Sequence, residues 1–280
     1  MTDVHGAASG LAIYLYCLAR LECLSVVRES AEPFLHGVDG RYPVTTLDQQ
    51  DDGVVAVIGQ VDPAEFSDQN LQALDWLGPR AQRHEAVVER VMDVSPVLPV
   101  KFGTMFRSRA SLKKFLGRHR EDIVRVLDEL RDKTEWSVKG YLVEEDARRI
   151  IAAEDTEIQS RRAALSQSPG VRYLQQKQLD AKIEAVLKAG VARVTHDLHQ
   201  ALALHAVDST ALRLHASAVT GRPERMVFNG SFLLISETLP NFRAALSDQQ
   251  HAHQGTGLTL ELRGPWPPYN FCPTFSESEP

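Results

Sequence analysis

The sequence predicts a two-domain α+β protein, and three observations support this fold class. The chain has 280 residues, which exceeds the roughly 100 to 200 residues of a usual single domain. Hydrophobic residues make up 43% of the chain and charged residues 24%, as in ordinary globular proteins. From residue 135 onward, strand-like and helix-like segments follow the ferredoxin-like order β-α-β-β-α-β with extra helices. We therefore expect a mixed α+β domain at residues 1–133 and a modified ferredoxin-like domain at residues 134–280.

The first predicted strands are short and strongly apolar. Residues 11–18 form a continuous apolar run, which is too brief for most helices and is typical of a strand buried on both faces. Residues 42–47 and 53–61 are β-rich and are separated by the turn signal Asp51-Asp52-Gly53. This spacing predicts an antiparallel pair.

Helices should follow these strands. We expect Gly78-Pro79 to interrupt one helical stretch and begin another, because proline is tolerated in a first turn. The apolar side of this second helix carries Ala81, His84, Val87, Val88 and Val91. Residues 94–102 are apolar but contain two prolines, which favours an edge strand or an extended segment. We expect one or two helices within residues 111–133.

The second half begins with a predicted strand at residues 135–143 and a charged helix at residues 144–162. A long helix should begin at Ser168-Pro169 and end near residue 205. Its predicted core stripe has a three- or four-residue spacing and consists of Ile183, Leu187, Val191, Val194, Leu198 and Ala201.

Three more strands and one helix complete the order. Strands are expected at residues 210–217 and 225–236, then a helix at residues 239–253, then a half-buried strand with alternating polarity from residue 258. Asn229-Gly230 is a hairpin signal inside the second of these strands. We interpret it as a bulge or a kink, because a hairpin would leave an arm of only about three residues.

Charge and cysteine usage argue against nucleic acid and membrane partners and against an oxidising compartment. The net charge of −6 and the pI near 5.9 give no electrostatic reason to expect nucleic acid or an anionic membrane. The three cysteines Cys17, Cys23 and Cys272 have no metal spacing, which indicates a reducing compartment and buried thiols. Without a secretory pattern or an apolar run of roughly 20 residues, the cytoplasm is the expected location.

Histidines are the main candidates for metal or acid–base chemistry. His196 and His199 lie on one helical face, but no cysteine or carboxylate completes a zinc set with them, and His251 and His253 are no better placed. The pair His84-Glu85 is not a metalloprotease motif, since Val88 occupies the position of the second histidine. We expect a metal site at neither pair.

His84 itself lies on the apolar helix face, so we expect a buried histidine bonded to backbone, with general base chemistry as the less favoured alternative. The run Lys101-Phe102-Gly103-Thr104 lacks the glycines of a phosphate-binding loop. No nucleophile motif is present. The sequence therefore predicts no catalytic residues, no cofactor and no metal, and the protein is not expected to be an enzyme.

The segment Gly264-Pro265-Trp266-Pro267-Pro268-Tyr269 has two interpretations. It is either a rigid exit from the last strand, with its aromatic rings covering a core edge, or an exposed aromatic and proline-rich surface on which a partner docks. Packing is slightly favoured. The candidate partner-binding residues are Trp266, Pro267, Pro268 and Tyr269.

Three stretches together resemble the gas vesicle protein F/L family (GvpF/GvpL). They are His84-Glu85-Ala86-Val87-Val88, the run from Ser95 to Phe106 that contains Val100-Lys101-Phe102-Gly103-Thr104, and the run from Leu262 to Phe271 around Gly264-Pro265-Trp266-Pro267-Pro268-Tyr269. The opening strand Ile13-Tyr14-Leu15-Tyr16 is similar too. The resemblance implies a two-domain α+β protein with a modified ferredoxin fold in its C-terminal domain.

The resemblance also implies a function. It implies a minor structural or assembly role in gas vesicles, with contact to the small hydrophobic shell protein (GvpA) and further contacts to other gas vesicle accessory proteins, at the gas-facing side of the shell. The lead hypothesis is a binding protein without a cofactor. The rival is a small-molecule-sensing regulator that uses its ferredoxin-like domain, by fold analogy alone. An enzyme lacks convergent acid, base or nucleophile residues.

Overall fold

The computed structural model describes residues 10–29, 31–49, 53–273 and 275. These residues form two compact units. The first unit comprises the described residues of Met1–Thr134 and Trp266–Pro280, and the second unit comprises Glu135–Pro265. The C-terminal segment thus groups with the first unit, whereas the sequence analysis placed it in the domain at residues 134–280. The division of the chain into folding domains at residues 1–133 and 134–280 stays a prediction.

The first unit is built on a sheet with strand order β2-β3-β1-β4, in which β5 also pairs with β1. Its strands are β1 (Ala12–Arg20), β2 (Thr45–Gln49), β3 (Val54–Val61), β4 (Val97–Pro99) and β5 (Met105–Phe106). The predicted buried first strand is confirmed as β1, whose residues Ala12 to Ala19 are all buried. β2 and β3 pair antiparallel as predicted, and β4 is the predicted edge strand. Asp51 and Asp52 of the predicted turn lie outside the described residues.

In the described part of the first unit, five α-helices accompany this sheet. They are α1 (Leu24–Val27), α2 (Asp68–Gln72), α3 (Leu74–Met92), α4 (Arg109–Arg118) and α5 (Arg120–Glu129). The predicted interruption at Gly78-Pro79 is wrong, because α3 continues through Pro79. Pro79 is exposed and lies near the start of the helix. Because proline has no backbone N–H, one helical hydrogen bond is lost, and water can bind the carbonyl oxygen that would have accepted it.

The buried face of α3 packs on β1. His84, Val87, Val88 and Val91 are buried, and the three valines share a core cluster with Tyr14 and Tyr16 of β1. Ala81 of the predicted stripe is only partly buried. This packing places the polar atoms of His84 beside the tyrosines of the central strand, deep inside the first unit.

The second sheet has the order β7-β8-β6-β9. Its strands are β6 (Lys133–Leu142), β7 (Asp208–Ala211), β8 (Arg225–Ile235) and β9 (Leu258–Trp266), and the accompanying helices are α6 (Glu144–Glu154), α7 (Thr156–Ala163), α8 (Pro169–Ala203), α9 (Ser217–Thr220) and α10 (Leu239–Ala252). The chain is therefore a mixed α/β protein with two antiparallel sheets. In the described part of the chain, no helix has the length and apolar character needed to cross a membrane.

Two local predictions in this unit need correction. The charged helix at residues 144–162 is two helices, because Asp155 adopts an extended conformation and caps α7 by accepting hydrogen bonds from the amides of Glu157 and Ile158. The strand expected at residues 210–217 ends at Ala211. The pairing of β8 with β7 is regular as far as Gly230, and the bulge or kink at Asn229-Gly230 stays a prediction.

The absence of a side chain at Gly230 in β8 leaves room for the rings of Phe228 and Phe232. A Cβ atom there would lie 2.9 Å from Cζ of Phe228 and 3.0 Å from Cε2 of Phe232. Because β8 is one continuous strand from Arg225 to Ile235, a hairpin at Asn229-Gly230 is excluded, as expected. The core stripe of α8 is confirmed at Ile183, Leu187 and Leu198, all buried. Val191 packs against the cluster that contains Leu187, and Val194 and Ala201 are partly buried.

Candidate functional site

Two distant stretches of the chain meet in the first unit. His84 and Glu85 belong to α3, and Tyr269 belongs to a short 3-10 turn that follows β9. Nε2 of His84 lies 3.2 Å from the hydroxyl of Tyr269, and that hydroxyl donates to Oε2 of Glu85 at 3.0 Å. On the other side of the ring, Nδ1 of His84 lies 2.9 Å from the hydroxyl of Tyr14.

The hydrogen bonds of this cluster form one series in which each group donates to the next. The series leads from the amide of Gly103 through Tyr14, His84 and Tyr269 to Glu85. The amide of Gly103 donates to the Tyr14 hydroxyl at 3.1 Å, so the proton of that hydroxyl is available for Nδ1 of His84. At the other end, a carboxylate of Glu85 only accepts, so the Tyr269 proton is committed to it. We assign the neutral imidazole with its proton on Nε2, donating to the Tyr269 oxygen.

Burial sets the electrostatics of the cluster. It lowers the pKa of His84 to about 4, although the carbonyl of Val100 acts in the opposite direction. Burial also raises the pKa of Tyr14 far above its ordinary value. The pKa of Tyr269 is raised as well, first by burial and then by the negative charge of Glu85. Every ring in this cluster is therefore neutral at pH 7.

Such a cluster holds segments together and offers little for catalysis. The His84 side chain is 2% exposed, and both of its ring nitrogens already have hydroxyl partners. It ties together the central strand, α3, the loop at residues 100–104 and the C-terminal segment. The prediction of a buried His84 is confirmed, but its partners are chiefly tyrosine hydroxyls.

A cavity of about 540 Å³ lies next to this cluster. The cavity is lined mainly by apolar side chains, and no carboxylate side chain lines it. Its walls come from β1, from residues 98–106, from α4 and from the C-terminal segment; they consist of Leu15, Leu18, Leu98, Pro99, Val100, Lys101, Gly103, Thr104, Met105, Phe106, Phe115, Tyr269, Asn270, Cys272, Pro273 and Phe275. Its volume lies within the range of about 300 to 1,000 Å³ that small-molecule pockets usually have.

The predicted partner-binding residues differ in their placement. Trp266 is 37% exposed. Pro267 and Pro268 are buried, and Tyr269 is half-buried with its hydroxyl in the cluster described above. Trp266 is thus the exposed member of the four, whereas the hydroxyl of Tyr269 is bonded within the first unit.

Of the other histidine and cysteine candidates, Cys272 lines the cavity, whereas His199 belongs to the second unit. His199 contacts the rings of Phe228 and Phe232, and its Nε2 lies 3.2 Å from Oγ of Ser209. Among the described residues, no three histidine, cysteine, aspartate or glutamate side chains are grouped so that they could hold a metal ion. Burial raises the pKa values of the Cys17 and Cys23 thiols.

Sequence reasoning missed Tyr14 as a member of the site. The available signal was a pair of tyrosines inside an otherwise apolar strand, since a buried hydroxyl needs a partner. The cavity was not foreseen either, because its walls come from segments between Leu15 and Phe275 that no local pattern links.

A family model described as "Gas vesicle synthesis protein GvpL/GvpF" matches residues 12–273. The chain belongs to this family. It is 27% identical over 241 residues to gas vesicle protein L of a Streptomyces species, covering 85% of each chain. It is also 27% identical over 236 residues to gas vesicle protein L2 of Halobacterium salinarum, covering 82% of each. The chain therefore has a gas vesicle-related role, and none of these names is that of an enzyme.

Solved structures of this family share the fold. The crystal structure of GvpF from an Anabaena species superposes with a TM-score of 0.65 at 16% identity, covering 95% of this chain and 100% of that one. GvpF from Microcystis aeruginosa gives a TM-score of 0.62 at 17% identity, with 94% and 99% covered. Identity this low supports the common fold alone.

Proposed function

We propose that this protein is an accessory or minor structural protein of gas vesicles that binds the small hydrophobic shell protein (GvpA) and supports vesicle assembly. It acts by binding and without catalysis, on the gas-facing side of the shell, and other accessory proteins are further partners. The observation that carries the proposal is the match of the GvpL/GvpF family model to residues 12–273.

Physical chemistry makes a binding role reasonable. A small hydrophobic shell subunit exposes apolar surface, which aggregates unless another protein covers it before assembly. The first unit offers an apolar cavity, and Trp266 adds an exposed ring. We propose Trp266, Pro267, Pro268 and Tyr269 as part of the partner-binding surface, with Trp266 making the contact and the other three fixing its position.

We further propose that the second unit is a modified ferredoxin-like domain. Two features support this arrangement. β6 and β8 are separated in sequence by α8 and β7, yet they lie side by side in the middle of the sheet. The strands β7 and β9 occupy the edges, as the split β-α-β-β-α-β order requires.

The test of the function is genetic. In the organism that encodes this chain, deletion of its gene should leave few or no normal vesicles, and a plasmid copy of the gene should restore them. Vesicles are scored by cell buoyancy and electron microscopy. Normal vesicle number and shape in the deletion strain would contradict the proposed role in assembly.

A further inference from the structure

The second sheet has two edge strands of unequal length. In the strand order β7-β8-β6-β9 the edges are β7 and β9, and β7 has four residues whereas β9 has nine. Proteins commonly keep edge strands short or place lysine or proline in them, because the unpaired amides and carbonyls of an edge can bind another strand. β9 contains neither lysine nor proline from Leu258 to Gly264. It is therefore the edge at which a further strand can extend this sheet.

The backbone groups of β9 alternate between β6 and the open side. The amide of Val143, directly after β6, donates to the carbonyl of Gly257 at 3.0 Å. Bonding to one neighbour recurs at every second residue of an antiparallel strand. The odd-numbered residues of β9 therefore bond to β6, and the amides and carbonyls of Leu260, Leu262 and Gly264 are directed to the open side.

These outward groups are largely without partners. Nε2 of Gln250 donates to the carbonyl of Leu260 at 2.9 Å. In the described part of the chain, no other hydrogen bond is made by the outward amides and carbonyls of Leu260, Leu262 and Gly264. The middle of β9 thus offers the donors and acceptors that an added antiparallel strand requires.

The side chains of β9 differ between the two faces of the sheet. The three leucines of β9 belong to the core of the second unit or pack against it, so Glu261 and Arg263 lie on the opposite face. Glu261 contacts Nη1 of Arg222 through Oε1 at 2.6 Å and Nη2 of Arg263 through Oε2 at 3.1 Å. The side chain of Arg263 is 53% exposed, and an ion pair this exposed contributes little to stability. Arg263 can therefore exchange Glu261 for a carboxylate of another chain at small cost.

We propose that β9 pairs antiparallel with β9 of a second copy of this chain. The pairing joins two four-stranded sheets into one continuous sheet around a twofold axis, so the same strand is the binding surface on both copies. A pairing centred on Leu262, the middle residue of β9, aligns the whole strand. The inference goes beyond the proposed function, because it needs no other gas vesicle protein.

Charge favours this register over its neighbours. Outward groups must meet outward groups, so the nearest alternatives are centred on Glu261 or on Arg263. Each of those places a charged residue directly opposite its own counterpart, which is unfavourable. Centring on Leu262 instead places Glu261 of each copy opposite Arg263 of the other, and opposite charges at such positions are favourable. The strand is thus electrostatically complementary to itself about its middle.

Charge-reversed variants test the pairing and its register together. Glu261→Lys and Arg263→Glu each place like charges opposite one another in their own dimers. In a mixture of the two variants, both cross-strand pairs again join opposite charges. Arg193→Glu, at an exposed position of α8 in the second unit, is the control for charge reversal away from β9.

The measurement is sedimentation equilibrium of the full-length chain at about 100 μM, a concentration at which a micromolar dissociation constant gives mainly dimer. The wild type and Arg193→Glu should have about twice the chain mass of 31.1 kDa. Each β9 variant alone should dimerise roughly tenfold more weakly, and mixing the two should restore the dimer. Wild-type protein at the mass of one chain would overturn the proposal, as would a mixture no more dimeric than its components.

Cross-linking replaces this test if a charge variant fails to fold by circular dichroism. Leu262 lies at the twofold axis, so Leu262→Cys brings two thiols together at a Cα separation of about 5.5 Å, which a disulfide can span. Leu258→Cys is the control, because its counterpart lies at the far end of the paired strand. After mild oxidation, non-reducing electrophoresis should show far more covalent dimer for Leu262→Cys than for Leu258→Cys or the wild type. Equal amounts in all three would overturn the pairing.

Discussion

His84 is held between two tyrosine hydroxyls, and this position determines how it titrates. Its pKa is lowered to about 4 in the folded protein because burial disfavours the charged ring, whereas a histidine in the unfolded chain has a pKa of about 6.5. Between these two values the unfolded state binds a proton that the folded state does not. Folding stability must therefore decrease as the pH falls from about 6.5 towards 4.

Replacing His84 by glutamine should remove this part of the pH dependence. The amide can accept from Tyr14 and donate to Tyr269, but it does not titrate. For the wild type we expect the His84 contribution to cost about 2 kcal/mol of unfolding free energy between pH 7.5 and 5. Urea unfolding followed by circular dichroism at both pH values measures it. An equal loss in His84→Gln would mean that another group carries the dependence.

Tyr269 should matter for stability through its hydroxyl. Tyr269→Phe leaves Glu85 and Nε2 of His84 without this partner, which we expect to cost about 1 to 3 kcal/mol. The matched control is Tyr173→Phe on α8, where the residue is 63% exposed and the change should stay within about 0.5 kcal/mol. Thermal melting compares the two. Equal melting temperatures for both variants would show that the Tyr269 bonds contribute nothing.

At the scale of elements, long periodic segments could be predicted and short irregular ones could not. The stripe of α8 was predictable because Leu198 and its neighbours repeat at helical spacing. The break at Asp155 was not, since it depends on one capping side chain within a continuous charged pattern. Likewise, α3 passes Pro79 because only one hydrogen bond is lost near a solvated end.

Leu198→Asp tests the core role of α8. Leu198 is fully buried and packs in a cluster with Leu202, Phe232 and Phe242, so an unpaired carboxylate there should cost several kcal/mol. Glu154→Gln, at an exposed end of α6, should change stability by less than about 0.5 kcal/mol. Melting of both variants by circular dichroism checks this. If the Leu198→Asp protein melts like the wild type, Leu198 does not face the core, and α8 is rotated differently about its axis.

At the scale of the whole molecule, the fold class was predictable but the site was only partly so. The motif residues His84, Lys101 and Tyr269 were singled out from the sequence, yet their meeting in one unit follows from the C-terminal segment returning to the first sheet. No local pattern encodes that return. Three-dimensional packing alone brings residues from positions 15 to 275 around one cavity.

Direct association with the shell protein is the central claim, and solubility measures it most directly. The shell protein is expressed with this chain and with no other gas vesicle protein, and the lysate is separated by centrifugation and size exclusion. We predict that the shell protein stays in the supernatant and elutes with the full-length chain, because its apolar surface is covered. Shell protein found only in the pellet, with or without the chain, would contradict the claim.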